Sequence, residues 1–294
     1  MTISLVRTSL LDFNHAWNAE RARSLRLGSI ATLIFLGACA FAAHIGQFDI
    51  FRLIDGLPKV GDFISGMVPP IRAGSVLSDI GEWYWGLGKW LGLLWTTALM
   101  AILATAVGAM IGGALSFVAS ANLVQSKSLI FIVRRVLEVS RTVPDLVWAL
   151  IFLFAFGLGP LAGFLAIMVH TVGAQGKLFA EVNENIDRKP IEGVRAAGGT
   201  WFDEIVIGVL PQVLPNYVSY TLWRFELNVR SATIIGFVGA GGIGMELYEV
   251  IRLSYFDDAG AILLIILIAV ILIDMLSEWA RLKLAGIDGN GHQV

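Results

Sequence analysis

The sequence predicts an all-α integral membrane protein with six transmembrane helices, on three observations. Hydrophobic residues make up 56% of the 294 residues and charged residues only 15%, whereas a soluble domain carries roughly 25% charged residues. The mean hydropathy is +0.76. Several uncharged windows also reach the length of about 20 residues that a helix needs to cross a bilayer.

The first of these windows covers residues 27–48. We expect it to form the first transmembrane helix, after an N-terminal tail of residues 1–26 and before an extracytoplasmic loop at 49–86. Arginines, an apolar run and Cys39 also suit a lipoprotein signal whose cysteine carries the lipid. A plain transmembrane helix is the preferred interpretation, because the cationic lead is long and later spans already anchor the chain.

The other five spans are expected within residues 87–283, before a C-terminal tail at 284–294. One long apolar segment is divided by Gly157-Leu-Gly-Pro160. Because Gly and Pro punctuate helices, this segment predicts a tight hairpin of two spans. The first arm of the hairpin must start near Leu137 to be long enough.

The last two spans are separated by the glycine-rich stretch that follows residue 238. The fifth span is expected at about 214–238, after Pro211 and Pro215 break the path of the chain. The sixth span is expected to start at Ala259.

Positively charged residues outside the spans predict the orientation, because they are enriched on the cytoplasmic side. With six spans, fourteen of these residues fall on one side and four on the other. Both termini are therefore expected to be cytoplasmic. The fourteen are Arg7, Arg21, Arg23, Arg26, Lys127, Arg134, Arg135, Arg141, Lys177, Arg188, Lys189, Arg195, Arg281 and Lys283.

The stretch Gly239-Ala-Gly-Gly-Ile-Gly244 is a literal G-x-G-x-x-G, and two aspartates follow at about the distance of a ribose-binding acid. We reject a dinucleotide site, because a membrane span precedes the glycines where a soluble strand is required. No Gly-Lys pair continues into a P-loop, and the four histidines lack metal-ligand spacing. The sequence thus predicts neither a catalytic nor a metal site, and a net charge of −2 gives no basic field for nucleic acid.

The predicted cytoplasmic segment at about 186–211 has the pattern of two short amphipathic helices. Pro190 and Glu192 suit the first turn of one helix, and Gly198 is expected to end it in the left-handed conformation. A second helix runs from Trp201 to Pro211. Two apolar faces held at a membrane surface suit docking into the groove of a partner, and the alternative is a hairpin that lies on lipid.

This segment resembles the EAA loop of binding-protein-dependent ABC importer permeases. Glu192, Gly198, Leu210 and Pro211 match the spacing of that loop. The sequence departs from it at the two alanine positions, which hold Gly193 and Val194, and Gly208 stands where an isoleucine is usual. The resemblance implies that Glu192 to Gly198 sits in a cleft of an ATPase and conveys its closure to the spans.

A second match is longer and more specific. Residues 224–244 resemble a signature shared by phosphonate permeases and methionine-importer permeases, and residues 157–171 and 208–215 favour the phosphonate branch. The resemblance implies a type I ABC importer permease fold in the bacterial inner membrane. It also implies a second copy of this chain, an ABC ATPase homodimer that carries ATP and Mg²⁺, a periplasmic or lipoprotein solute-binding protein, and a small phosphorus oxyanion as substrate.

Three charged residues fall inside the fifth span, where charges are rare and face a cavity or a partner. Glu226 and Arg230 have the i, i+4 spacing of a helical ion pair. Arg224 lies on another face, and its expected partner is Asp145 or the second copy. The arginines either line an anion pathway or belong to buried pairs that fix the packing of the helices.

The glycines at the end of the fifth span exceed what one helix cap requires. We expect Gly239, Gly241, Gly242 and Gly244 to allow close helix packing near a gate, and the alternative is a helix cap followed by a short connector. For the outer loop, contact with a binding protein and interfacial anchoring by its aromatic residues remain equal alternatives.

The predicted function is therefore that of the membrane-spanning permease subunit of an ATP-driven importer for phosphonates or related phosphorus oxyanions. One alternative is a secondary transporter with its own intramembrane ion site, for which Glu226 is the sole candidate. Another is an importer of the same class with a methionine-like substrate. A membrane scaffold without transport would leave the two docking helices without a purpose.

Overall fold

The computed structural model describes the backbone of residues 2–70, 72 and 74–284. These residues form twelve α-helices and one π-helical turn, and no strand occurs among them. The chain divides into two units, residues 1–64 and 65–294. Part of the predicted C-terminal tail, residues 285–294, lies outside the described residues.

The first unit consists of a long helix and most of a shorter one. Helix α1 covers Thr2–Ile45, so residues 2–26 of the expected tail are helical and continue into the span, where Glu20–Ile45 is apolar enough to cross a membrane. No Gly or Pro interrupts its first 26 residues. Helix α2 covers Ile50–Ser65. Asp49 caps it by accepting hydrogen bonds from the amides of Phe51 and Arg52 at 2.9 and 3.2 Å.

The second unit contains the other helices. In chain order they are α3 (Val76–Trp83), α4 (Leu87–Ala119), α5 (Lys127–Thr142), α6 (Asp145–Phe156), α7 (Pro160–Glu184), α8 (Lys189–Ala196), α9 (Trp201–Asp203), the π-helical turn Glu204–Val209, α10 (Leu210–Gly236), α11 (Gly242–Arg252) and α12 (Phe256–Leu284).

Five helices in the described part of the chain are long and apolar enough to cross a membrane, and one bent pair, which passes the same test jointly, makes six if the pair counts as one span. That pair is α5 and α6, which meet at an angle of 90°. The bend follows from Pro144, because the residue before a proline is pushed out of the helical region, and Val143 has ψ of 123°. The first arm of the predicted hairpin is therefore broken, and it begins at Lys127 instead of near Leu137.

The expected breaks at Pro211 and Pro215 are wrong. The chain stays helical from Trp201 to Gly236. Pro211 lies in the first turn of α10, directly after the wider π-helical turn, and Pro215 lies inside α10. Neither proline can donate a backbone hydrogen bond, yet the helical path continues through both, and π-helical turns inside helices often mark functional sites.

The core is built on α4 and α7, which approach closely through glycines. A Cβ on Gly112 would lie 2.9 Å from the backbone nitrogen of Gly176, so only glycine fits this crossing. Helix α10 packs on both helices through buried polar contacts. Asn228 donates hydrogen bonds to the hydroxyls of Thr105 and Thr171 at 2.8 and 2.9 Å. These bonds fix the register of α10, which carries the intramembrane charges.

Candidate functional sites

Helix α8 forms the first part of the segment that was expected to dock with a partner. Pro190 lies in its first turn with Glu192, and Gly198 has φ of 82°, the left-handed conformation predicted for it. Glu192 and Gly193 are exposed, and a Cβ on Gly193 would meet no atom within 4 Å. The surface at the EAA-like positions is therefore open. An alanine at position 193, where the EAA loop usually has one, would fit without a clash.

The opposite face of α8 is attached to the base of α10 at two points. Ile191 is 4% exposed and packs with Val209 and Val213. One turn later, Nε and Nη2 of Arg195 donate to the two carboxylate oxygens of Glu204, both at 2.8 Å. The Glu204 side chain is only 7% exposed, and its hydrogen bond raises the pKa of the Arg195 guanidinium above the ordinary value.

Helix α9 joins α8 to the π-helical turn. Thr200 and Asp203 form a reciprocal capping box, which defines where the helix begins. The indole of Trp201 donates to the carbonyl of Leu123 at 3.0 Å. Among the apolar residues of the second predicted helix, Ile205 and Val209 are buried, whereas Trp201 and Phe202 stay exposed. These exposed aromatic residues follow α8 after a turn of four residues.

The Arg195–Glu204 pair predicts an asymmetric effect on stability. We expect Arg195→Ala to lower Tm of the purified permease by about 2–4 °C, because it leaves the buried carboxylate of Glu204 without its partner. The double variant Arg195→Ala/Glu204→Ala removes both charges and should unfold at a higher temperature than the single variant. Thermal unfolding in detergent measures both, and equal Tm values for the two variants would contradict a coupled pair.

Arg224 lies in a cluster formed where α7, α10 and the α5–α6 bend meet. Its Nη2 donates to Nδ1 of His170, and Nε2 of His170 bonds the carbonyl of Arg141 at 3.1 Å. Asp145 begins α6 at the bend and acts on Arg224 and His170 through its charge. The Nε atom of Arg224 is buried and has no hydrogen-bond partner among the described residues.

This cluster differs from the sequence prediction in its direct contact. The expected partner of Arg224 was Asp145 or the second copy, and the hydrogen-bonded partner is His170. The spacing of the histidines is unsuitable for metal ligands and indicates no pairing of His170 with Arg224. His170 and Arg224 are 54 residues apart and meet only because α7 packs against α10. No local sequence signal marks this contact.

Glu226 and Arg230 form the predicted ion pair, with 2.9 Å between Arg230 Nη2 and Glu226 Oε1. Two residues of α12, which sequence reasoning did not assign to the pair, extend it. Arg230 also bonds Asp274 at 2.7 Å, and Arg281 lies 3.6 Å from Glu226. Two acids and two bases neutralise one another and join α10 to α12. This arrangement favours a packing role, and Glu226 is not available as the open ion site that a secondary transporter requires.

The glycine-rich stretch connects α10 to α11 by a tight reversal. Gly239, Gly241 and Gly242 have φ of 99°, 76° and 71°, values that favour glycine. At Gly244, a Cβ would overlap the carbonyl of Thr233, because the two helix ends are in backbone contact. Close packing, rather than a helix cap with a connector, therefore describes this stretch.

The reversal is also tied to neighbouring helices. The amide of Gly159 donates to the carbonyl of Gly239 at 3.0 Å, and the amide of Ile243 donates to the hydroxyl of Thr97 at 3.0 Å. The loop between α6 and α7 and the residue Thr97 of α4 thus both contact this reversal. A change in the position of α10 would be felt at both places.

The two aspartates that follow the glycines have indole partners. Trp83 donates to the carbonyl of Asp257 at 2.8 Å, and Trp85 donates to the carboxylate of Asp258 at 2.9 Å. The Trp-Tyr-Trp sequence therefore holds α3 and its C-terminal turn against the start of α12. These aromatic residues therefore anchor α3 to α12 within the chain.

The sequence of this chain is similar to those of known transport proteins. Residues 112–284 match the family described as binding-protein-dependent transport system inner membrane component. The chain is 36% identical to the phosphite transport system permease protein PtxC of Stutzerimonas stutzeri, over 87% of this chain and 88% of that protein. It is also 36% identical to the phosphate-import permease protein PhnE of Mycolicibacterium smegmatis, over 95% of this chain but only 50% of that longer protein.

Solved structures show the same fold at low sequence identity. A chain of the inward-facing MetNI methionine ABC transporter superposes with a TM-score of 0.58 at 19% identity. The match covers 66% of this chain and 95% of the transporter chain. The type I importer permease fold is thereby confirmed for the part of the chain that this structure matches.

Proposed function

Because this chain belongs to the family of binding-protein-dependent transport system inner membrane components, we propose that it is the permease of an importer for phosphonates or related phosphorus oxyanions. Two copies form the pathway and alternate between inward-facing and outward-facing states at their interface. An ABC ATPase homodimer carries ATP and Mg²⁺, and a periplasmic or lipoprotein solute-binding protein delivers the substrate.

One observation carries this proposal: the candidate docking surface is continuous with the helix that holds the half-buried Arg224. Helix α8 is attached to the π-helical turn through Ile191 and Arg195, and that turn continues without interruption into α10. Arg224 lies about 30 Å along the helix from Glu204, at 1.5 Å per residue. Movement of the surface around Glu192 therefore displaces the helix that carries Arg224.

The chemistry of the Arg224 cluster suits an oxyanion. A guanidinium presents several donors in a planar fork that fits two oxygens of a phosphonate, phosphite or phosphate. His170 accepts from Arg224 through Nδ1, so in this tautomer it is neutral and leaves the positive charge of Arg224 in place. We therefore assign substrate contact to Arg224, with His170 orienting it and Asp145 balancing its charge.

The remaining intramembrane groups take a supporting part in this proposal. Glu226 and Arg230 join α10 to α12, and the glycines at 239–244 let α10 and α11 pivot in close contact near the outer gate. The membrane is the bacterial inner membrane. Both termini and the α8–α9 surface face the cytoplasm, which agrees with the fourteen positively charged residues on that side.

The test is reconstitution of the chain with the ATPase and solute-binding protein encoded beside it. We expect 2-aminoethylphosphonate to stimulate ATP hydrolysis in proteoliposomes that contain all three components. Stimulation by phosphite or phosphate alone would keep the mechanism and change the substrate, and stimulation by methionine alone would select the methionine-like alternative. Failure of any ATPase to co-purify would overturn the importer and favour a secondary transporter.

A charge reversal tests the docking surface. We expect Glu192→Lys to reduce substrate-stimulated ATP hydrolysis by about tenfold or more, because placing a like or unpaired charge in a docked cleft costs about 2–5 kcal/mol. Gly193→Ala is the matched control, since its Cβ meets no atom within 4 Å. This control should keep the full rate. Normal stimulation in the Glu192→Lys variant would remove the docking role from α8.

A further inference from the structure

Helix α2 has an apolar face that is exposed along its whole length. The apolar side chains recur at the helical spacing i, i+3, i+4 and i+7, which places them on one side of the helix. None of them is buried, and their exposed fractions lie between 48% and 61%. They are Ile50, Leu53, Ile54, Leu57, Val60 and Ile64.

The opposite face of α2 carries its charged residues. Arg52, Asp55, Lys59 and Asp62 share this side, and their charges sum to zero. An interaction made by the apolar face is therefore not steered by a net charge, so burial of apolar surface is what drives it. With 16 residues, α2 is shorter than the roughly 20 residues that a membrane span requires.

The position of α2 in the chain is set by α1. The span Glu20–Ile45 ends at a tight turn, in which Gly46 donates to the carbonyl of Ala42 at 2.8 Å and Phe48 donates to that of Ala43 at 2.9 Å. Four residues separate Ile45 from Ile50, so the two ends lie at most about 18 Å apart. Helix α2 therefore begins where α1 leaves the hydrocarbon region.

We propose that α2 lies along the membrane surface with its apolar face inserted among the phospholipid acyl chains of the leaflet at which α1 ends. A solute-binding protein that arrives and leaves needs a receptor face that is stable in water between visits, and a continuous apolar strip is not. Lipid at this boundary covers the strip at all times. The polar face remains in the headgroup layer, and the helix fixes the level at which the loop from residue 49 onward leaves the membrane.

This assignment rests only on the membrane span of α1 and on the two faces of α2. It is independent of the substrate and of the ATPase. The lipid chemistry it names is the acyl-chain boundary of a zwitterionic or anionic phospholipid alike, because the polar face has no net charge.

The experiment places an environment-sensitive fluorophore on each face of α2. Cys39, the one cysteine, is exposed and is first replaced in Cys39→Ser. Leu57→Cys and Lys59→Cys are then labelled in the full chain, reconstituted in phosphatidylcholine vesicles. We expect phosphatidylcholine with a nitroxide near its headgroup to quench the label at Leu57, and aqueous iodide to quench the label at Lys59.

The result that overturns the proposal is a label at Leu57 that iodide quenches and the lipid nitroxide does not, since the face would then lie in water. Protection of that label from both quenchers would also overturn it, and would assign the face to a protein. Cross-linking of Leu57→Cys would identify a second copy as that protein, and protection that requires the solute-binding protein would identify the latter. Replacing phosphatidylcholine by phosphatidylglycerol should leave the quenching at Leu57 unchanged.

Discussion

Arg224→Ala is expected to abolish transport while the permease still assembles with its ATPase. The substitution removes the guanidinium that we assign to the oxyanion, and it leaves Nδ1 of His170 without a donor. Losing a hydrogen bond made by a charged group costs about 1.5–3 kcal/mol, which corresponds to uptake reduced by about tenfold or more. Substrate uptake into proteoliposomes measures the loss, and co-purification of the ATPase measures assembly.

Two further variants separate a pathway role from a packing role. Arg224→Lys keeps the positive charge but loses the planar fork, so we expect it to recover only part of the uptake. Glu226→Gln/Arg230→Met removes the i, i+4 pair of the neutralised network and is expected to change uptake far less than Arg224→Ala does. Normal uptake by Arg224→Ala would rule out a pathway role for this residue.

Gly244→Ala is expected to prevent normal packing of α10 against α11. A Cβ at this position overlaps the backbone carbonyl of Thr233, which cannot rotate away as a side chain can. Over-packing of a well-packed site costs about 1–3 kcal/mol or more, and here two helix ends must separate. We expect a lower yield of folded protein, a lower Tm and loss of uptake.

Gly92→Ala in α4 is the matched control for this substitution. It is also a helical glycine in a candidate span, and a Cβ there meets no atom within 4 Å. Alanine is the better helix former by about 1 kcal/mol, so Tm should stay the same or rise. An unchanged Tm in Gly244→Ala itself would contradict the close contact between α10 and α11.

The features that the sequence predicts correctly are those set by neighbouring residues. The apolar windows predict the six spans, because a membrane span requires only length and hydropathy. Gly198 ends α8 as expected, because a left-handed residue at that position depends on the local backbone alone. The Glu226–Arg230 pair is correct for the same reason, since one helix brings the two side chains together.

The features that the sequence does not predict depend on residues of other helices or on how the chain around a proline accommodates it. His170 and Asp274 bond Arg224 and Arg230 from helices that are distant in sequence. Pro144 bends a predicted span, whereas Pro211 and Pro215 do not interrupt theirs. The difference lies in the residues around each proline, because the π-helical turn before Pro211 keeps the chain helical and nothing similar precedes Pro144.

The π-helical turn Glu204–Val209 also affects how the chain before it is rotated about the axis of α10. It holds one residue more than an α-helical path would need, and each residue of an α-helix corresponds to about 100° of rotation. This one extra residue therefore sets the direction in which the surface around Glu192 points, relative to the face of α10 that carries Arg224. Insertion or deletion of one residue at this turn would therefore rotate the surface around Glu192 by about 100° relative to α10.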